Sequence, residues 1–206
     1  MHVVIRRYSI MAQDAGEIVD LIRASFAPLI SKSRGFVSYG VAQGTESTNE
    51  LVTTSTFNDR TDSEASVTLA ADWAKENLVK FTLSPPRVTF GEITIRHMKE
   101  HVPATYGVMR SYTGVSNVAE IKRRIEENLL PSLVATPTLA SFMLIDAGSG
   151  NGITMSAYSD RQAAEATGLK TMKWVEENLA DLVPHAPEVL IGDIKLRIVP
   201  SGVLAR

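Results

Sequence analysis

The sequence predicts an α+β fold in which a β-α-β-β-α-β unit occurs twice, and two observations lead to this prediction. The segment Trp73-Ala-Lys-Glu-Asn-Leu78 returns almost unchanged as Trp174-Val-Glu-Glu-Asn-Leu179, about half a chain length later. Strand and helix patterns also follow the same order in each half. We therefore predict two ferredoxin-like repeats, residues 1–98 and 106–206, joined by a linker at 99–105.

The strands of both repeats are predicted from runs of β-branched and aromatic residues that no proline interrupts. In the first repeat these runs cover residues 2–10, 36–41, 51–57 and 88–96. In the second repeat they cover residues 106–113, 139–145, 153–158 and 189–199.

The helices are predicted from apolar residues at helical spacing. The first helix runs from Ile18 to Ile30, and Pro28 is expected to kink its last turns or to begin a short separate helix. The second helix passes through Trp73, and Thr61 and Glu64 match a capping box at its start. Asp59 and Asp160 also stand where they suit the N-terminus of the second helix in each repeat.

Each predicted sheet carries helices on one face and leaves the other face uncovered. The more apolar alternate residues of the third strand are expected to face the helices: Val52, Thr54, Thr56 and, in the second repeat, Ile153, Met155, Ala157. The opposite face mixes apolar and charged side chains, which predicts two sheets that face each other across a partly wet interior. Gly91 and Gly192 are expected to let a helix approach the last strands closely.

Four segments of the first repeat carry a resemblance to a known family: Gly35–Tyr39, Phe57–Arg60, Ala71–Asn77 and Val88–Glu92. The chain resembles, twice and over nearly its whole length, the antibiotic-biosynthesis-monooxygenase-like domains of the dimeric α/β-barrel superfamily. In that family two chains pair their sheets. The resemblance implies that here both antiparallel sheets face each other as a barrel within one chain, a pseudo-dimer that is still open to further homodimerisation. It says little about the reaction, since the superfamily includes oxygenases, haem-degrading enzymes and isomerases.

The candidate catalytic residues are Arg6 and Tyr8 with their counterparts Arg110 and Tyr112, because each pair lies on one face of a first strand. The last strand is expected to bring Glu92 to Arg6, and Asp193 to Arg110. One hypothesis is a polar grip that orients a small aromatic or keto substrate. The alternative is a pair of structural ion pairs that satisfy interior charges.

Trp73 and Trp174 are candidate substrate-binding residues with Glu92 and Asp193, because family members place a tryptophan near the substrate. The alternative is that both tryptophans pack in the core. Asn77 and Asn178 are expected to fix helix ends.

No cofactor or metal is predicted. The chain has no cysteine, and its four histidines lack the spacing of a strong metal site. The resemblance implies that a haem-degrading member would carry a histidine on a helix and an asparagine on the first strand, and this sequence has neither. A net charge of −2 without a basic stripe argues against nucleic acid. The sequence contains no candidate membrane span or signal peptide, so a cytoplasmic protein is expected.

The function predicted by the resemblance is cofactor-independent oxidation of a small aromatic or polyketide-like compound. The alternative is a non-catalytic protein of the same fold that binds a small molecule or serves assembly. The halves differ at several matched positions, since Tyr39 becomes Phe142 and Glu92 becomes Asp193. This divergence favours the alternative, or a single active half.

Overall fold

The computed structural model describes residues 1–45, 49–81 and 83–200, and every strand and helix that we predicted is present in the predicted order. The strands are β1 His2–Ser9, β2 Phe36–Gly44, β3 Glu50–Phe57, β4 Arg87–Met98, β5 Tyr106–Thr113, β6 Leu139–Gly148, β7 Asn151–Tyr158 and β8 Glu188–Ile198. The helices are α1 Ala15–Leu21, α2 Ala27–Ile30, α3 Arg60–Asn77, α4 Val118–Arg124, α5 Leu130–Val134 and α6 Arg161–Asn178. A 3₁₀ turn at Ala12–Asp14 precedes α1.

The sheet has the topology of an antiparallel barrel. Its strands follow the hydrogen-bonded order β1-β3-β2-β8-β5-β7-β6-β4, and this order closes on itself. The register recurs at matched positions: Arg6 of β1 lies opposite Thr53 of β3, as Arg110 of β5 lies opposite Thr154 of β7. The fold is therefore α+β, as predicted.

Two compact units divide the chain, and their boundaries differ from those of the two predicted repeats. The first unit contains residues 1–91 and the chain from Gly192 onward, and the second contains Glu92–Ile191. Within the first unit β2 pairs with the end of β8, so that Tyr39 lies opposite Ile198. Within the second unit β6 pairs with the end of β4, so that Ile145 lies opposite Ile93. In each unit, the sheet thus includes the end of a strand that the sequence assigned to the other predicted repeat.

Gly192 permits a close approach, but of a strand and not of a helix as predicted. A Cβ atom at this position would lie 2.0 Å from the carbonyl oxygen of Gln43 in β2. The pairing of β2 with β8 shifts register between Val41 and Ala42, next to this contact. A residue with a side chain would therefore collide with the backbone of β2.

A π-helical turn precedes each of the two helix prolines. Residues Ile22–Phe26 form one turn before α2, and Ile125–Leu129 form the other before α5. Pro28 and Pro131 then stand in the first turns of α2 and α5. Because proline has no N–H and its ring crowds the preceding turn, a widened turn accommodates it. Pro28 does not begin a separate helix, because the backbone remains helical from α1 through the π-helical turn into α2.

Aspartates begin the long helices, which corrects the predicted capping box. The Asp59 carboxylate accepts from the backbone N–H of Asp62 at 2.9 Å, and that of Asp160 accepts from Ala163 at 2.7 Å. Thr61 lies inside α3 and is not its N-cap. At the other ends, Asn77 and Asn178 donate to the carbonyl oxygens of Trp73 and Trp174, so their predicted role at the helix ends is confirmed.

The predicted assignment of the sheet faces is wrong. Leu51 and Phe57 of β3 pack with Ile18 and Phe26 of the helical layer, so the odd-numbered residues of β3 face the helices. The set Val52, Thr54, Thr56 therefore faces away. In β7 the same correction applies, since Tyr158 packs with the helices of the second unit and Ile153, Met155 and Ala157 belong to the alternate set.

The physical reason for this error is that both faces of the sheet are buried. Val3 and Ile5 lie on one face of β1, Val4 and Arg6 lie on the other, and all four side chains are buried. When both faces are covered, alternation of apolar and polar residues no longer tells which face meets the helices.

Candidate functional site

The first unit encloses a cavity between its helices and its sheet. The volume is about 20 Å³, little more than one water molecule requires. Its wall combines one arginine, three polar aromatic side chains and many aliphatic ones: Arg6, Tyr8, Ile10, Ile18, Ile22, Phe26, Tyr39, Leu51, Thr53, Ala70, Trp73, Leu78 and Leu83. Three of the predicted site residues, Arg6, Tyr8 and Trp73, therefore meet at one place.

Arg6 is the charged group of this cavity, and it is buried without a counter-ion in the described part of the chain. Its side chain is only 2% exposed. The guanidinium donates to Ser55 Oγ at 3.0 Å and to Ser66 Oγ at 2.9 Å, while its Nε has no hydrogen-bond partner. Burial lowers the pKa of Arg6, and the neighbouring phenol oxygens of Tyr8 and Tyr39 act on this pKa in the opposite direction. Arginine nevertheless remains protonated in proteins, so the cavity holds a positive charge.

The predicted ion pair of Arg6 with an acid is replaced by bonds to serines. Among the residues that the structure describes, no carboxylate accepts a hydrogen bond from Arg6. Glu92 is an exposed side chain, and so is Asp193, whose carboxylate accepts from Lys195 Nζ at 2.9 Å. A buried cation that lacks a counter-ion is costly, so an anion that entered the cavity would meet a strong electrostatic attraction.

The two tyrosines are hydrogen-bond donors and not bases. Burial raises the pKa of Tyr8, and burial also raises the pKa of Tyr39, which is 2% exposed. Both phenols therefore keep their protons at neutral pH. Tyr39 also packs edge-on against Phe26, with ring centroids 5.5 Å apart.

Trp73 closes the cavity on the side of α3 and is also a core residue. Its ring lies 5.1 Å from Phe26, and its Nε1 donates to Ser25 Oγ at 3.0 Å. Ser25 in turn donates to the carbonyl oxygen of Leu21, so the indole is bonded to the π-helical turn. Trp73 is therefore both a core residue and part of the cavity wall.

The wall of the cavity combines groups whose chemistry suits an aromatic oxyanion. Arg6 supplies a positive charge and the tyrosines supply O–H donors, while Phe26 and Trp73 supply flat apolar surface. Among the described residues of the wall, none is a histidine or a carboxylate, so the cavity has no side chain that would serve as a general base near neutral pH. A ligand that gives up a proton easily suits this cavity better than one that must have it removed.

The matched cavity of the second unit is different in chemistry. It measures about 40 Å³, and its polar side chains are Tyr112, Thr154 and Thr171. Phe142 stands where the first unit has Tyr39, and Arg110 does not line this cavity. Val175 of α6 lines it, whereas Trp174 faces an open groove beside α5. Of the residues predicted for a second site, only Tyr112 reaches the cavity.

Arg110 is buried elsewhere in the second unit. It is 4% exposed, its Nε is buried without a partner, and it forms no hydrogen bond or ion pair with any other residue in the described part of the chain. The phenols of Tyr112 and Tyr158 are its electrostatic neighbours. A Cβ atom on Gly168 of α6 would lie 3.0 Å from Arg110 Nη2, so the guanidinium extends towards this helix.

We predict that Gly168→Ala stabilises the protein only when Arg110 is absent. Glycine inside a helix costs roughly 0.5–1 kcal/mol relative to alanine. In the natural protein the new methyl group crowds the guanidinium, and we expect the unfolding free energy to stay unchanged. In the Arg110→Met background we expect the full gain. Urea unfolding of both single variants and the double variant measures this coupling, and equal gains in both backgrounds would contradict the contact.

Tyr39 and the serines that hold Arg6 were not nominated as site residues. Tyr39 lies on β2, whereas our nominations came from the first and last strands and the long helices. One signal for it was present in the sequence, since Tyr39 is one of the matched positions at which the halves differ. Ser55 and Ser66 carried no such signal.

The described residues contain no group of three or more His, Asp or Glu side chains that could hold a metal ion. In the same part of the chain, none of the helices is both long and apolar enough to cross a membrane.

Several solved structures resemble this chain over nearly its whole length. A protein of Lactobacillus acidophilus NCFM, described as a candidate monooxygenase, has a TM-score of 0.73 at 12% identity over 96% of this chain and 95% of its own. A candidate monooxygenase of Fusobacterium nucleatum subsp. nucleatum ATCC 25586 has a TM-score of 0.74 at 9% identity, over 96% and 94%. An anthrone oxidase-like protein has a TM-score of 0.64 at 13% identity, over 99% and 95%.

No family model and no curated protein sequence matches the chain. At such low identities the structural likeness shows the fold alone, and this fold is the one that the sequence resemblance implied.

Proposed function

We propose that the cavity of the first unit binds a small aromatic compound as its oxyanion, and that the protein oxidises this compound with dioxygen without a cofactor. The observation that carries the proposal is the buried guanidinium of Arg6, which has no carboxylate partner among the described residues and lines a cavity with aromatic and aliphatic side chains. The monooxygenase-like fold supports the same reading.

The reaction class follows from what the cavity offers. A CH₂ group beside a carbonyl in an aromatic ring system, as in anthrone, loses a proton to give an electron-rich enolate. Oxidation by dioxygen then converts the CH₂ group into C=O, with one oxygen atom entering the product and the other leaving as water. The positive charge of Arg6 lowers the pKa of the bound compound, and the Tyr8 and Tyr39 hydroxyls donate to the same oxyanion.

The cavity must open for this ligand. A three-ring compound exceeds the volume of about 20 Å³, so the proposal requires side chains of the wall to move on binding. The same observation favours a second candidate function, a non-catalytic protein that binds a smaller anionic ligand at Arg6.

We also infer that the chain arose by duplication of one β-α-β-β-α-β domain and fusion of the two copies. The repeated Trp73 and Trp174 segments and the matched caps Asp59 and Asp160 support this inference. The halves then diverged, and we place the active site in the first.

Anthrone and anthracene are a matched pair of probes, since only anthrone forms an oxyanion. We expect anthrone to raise the melting temperature and to quench Trp73. At 100 times its dissociation constant a ligand stabilises by about 2.7 kcal/mol, and each kcal/mol moves the melting temperature by about 2–4 °C at this size. Anthracene should do neither.

Turnover separates the two candidate functions. Oxygen uptake above the spontaneous rate, together with formation of anthraquinone, supports the enzyme. Binding without uptake supports the non-catalytic alternative, and failure of every acidic aromatic compound to bind contradicts both. In Trp73→Phe, loss of the fluorescence change shows that the signal comes from the first cavity, because Trp174 does not line a helix–sheet cavity.

A further inference from the structure

The cavity of the second unit is nearly free of polar groups. Most of its wall consists of aliphatic and aromatic side chains. They come from α4, from the π-helical turn Ile125–Leu129, from α6 and from the sheet, and they include Ile121, Ile125, Leu129, Phe142, Leu144 and Val175. No charged side chain of the described residues lines it.

The few hydroxyls of this wall are already bonded within the protein. Tyr112 hydrogen-bonds to Thr154, and Thr171 Oγ1 donates to the carbonyl oxygen of Thr167 at 2.9 Å. A buried water needs two to four polar partners, whereas apolar cavities without them stay dry and bind apolar molecules. The second cavity therefore has enough space for a small guest and nothing to hold water.

We propose that this cavity is a binding site for small, uncharged, apolar molecules of the size of dioxygen or a noble gas atom. Its volume of about 40 Å³ exceeds the roughly 10–15 Å³ that one water requires, and it is well below the ~150 Å³ of an engineered cavity that binds benzene. The occupant therefore has one or two heavy atoms. This inference does not rest on the function proposed for the first unit.

The first unit supplies an internal comparison. Its cavity is smaller and is lined by the charged side chain of Arg6 and the hydroxyl-bearing side chain of Tyr39. The described lining of the second cavity contains no charged side chain, and Phe142 stands at the position that matches Tyr39. Polar groups hold water, and water competes with an apolar guest. A guest of this class should therefore distinguish the two cavities.

Xenon is the probe, and methyl-labelled protein reports where it binds. We expect increasing xenon concentration to shift the methyl resonances of Ile121, Ile125 and Leu144 until the shifts reach a plateau. The methyl resonances of Ile18 and Ile22 in the first unit should stay nearly unchanged. Shifts of equal size in both units, or none at the second cavity, would overturn the proposal.

Gly152→Ala reduces the space without disturbing the strand. The added Cβ would contact Val115 Cγ2 at 3.4 Å, an ordinary van der Waals distance, and both residues line the cavity. We expect the xenon affinity to fall about threefold, from the volume of one methyl group. Unchanged affinity would overturn the placement of the guest.

Phe142→Tyr is an independent variant, because it restores the hydroxyl that the first unit carries at Tyr39. We expect this hydroxyl to bring water into the cavity and to abolish the xenon shifts, while the fold is retained. Full retention of the shifts would show that dryness does not govern binding there.

Discussion

Replacing Arg6 with methionine is expected to abolish binding of an acidic aromatic ligand. Methionine keeps the apolar stem but removes the charge that would meet the oxyanion. Removing one member of a buried, hydrogen-bonded charge pair typically costs about 2–5 kcal/mol, so the dissociation constant of anthrone should rise at least about thirtyfold. Isothermal titration or quenching of Trp73 measures this change.

The same substitution should leave the fold nearly as stable as before. Arg6→Met loses hydrogen bonds to Ser55 and Ser66 but also removes a desolvated charge, and we expect these terms to offset within about 1 kcal/mol. A large fall in melting temperature with unchanged ligand affinity would show that Arg6 is only structural.

Arg6→Lys and Arg110→Met are the matched controls for this test. Lysine keeps the charge, but it lacks the planar guanidinium that bonds to both serines. We therefore expect Arg6→Lys to bind anthrone more weakly than the natural protein and more tightly than Arg6→Met. Arg110 is buried to a similar degree but does not line the cavity, so Arg110→Met should leave the affinity unchanged. Loss of binding in both arginine variants would mean that general charge and not the cavity determines affinity.

The elements and their order could be predicted because they depend on local chemistry. The matched segments that begin at Trp73 and Trp174 predicted the same order of elements in both halves, and Pro28 marked the place where the first helix changes from a π-helical turn to α2. The start of α3 was harder to predict, because Asp59 and Thr61 are both good capping residues. Only the backbone geometry decides between them, and it favours Asp59, whose side chain accepts from Asp62 N–H.

The arrangement of the site depends on which face of the sheet meets the helices, and periodicity does not determine this. The two-residue spacing of Arg6 and Tyr8 in β1 predicted that both side chains lie on one face of the sheet, because alternate side chains of a strand share a face. It did not show that this face also carries Ser55 and lies under the helices, because both faces of β1 are buried. The acid partners predicted for the arginines followed from the wrong face.

The difference between the two arginines has a local origin. Arg6 donates a hydrogen bond to Ser66 of α3. The next residue in α3 is Val67, and the position in α6 that matches Val67 is Gly168. Glycine leaves room for the Arg110 guanidinium to extend towards the helix backbone, where a Cβ atom would come within 3.0 Å. The sequence contains this substitution, but its effect on a side chain more than fifty residues away appears only in the fold.

Arg110→Met is expected to raise the free energy of unfolding by about 1–3 kcal/mol. Arg110 is 4% exposed and its Nε is buried without a hydrogen-bond partner among the described residues, so the side chain loses most of its hydration on folding without a bond at Nε to replace it. Apolar replacements of buried charged groups are commonly neutral or stabilising by this amount. The gain should appear in urea unfolding as a higher midpoint with an unchanged slope.

Arg110→Lys is the control that separates charge from shape. Lysine also carries a buried charge, so it should not stabilise the protein, and only the removal of charge should do so. If Arg110→Met instead destabilises by several kcal/mol, the guanidinium has a partner in solution, and an anion would be the first candidate.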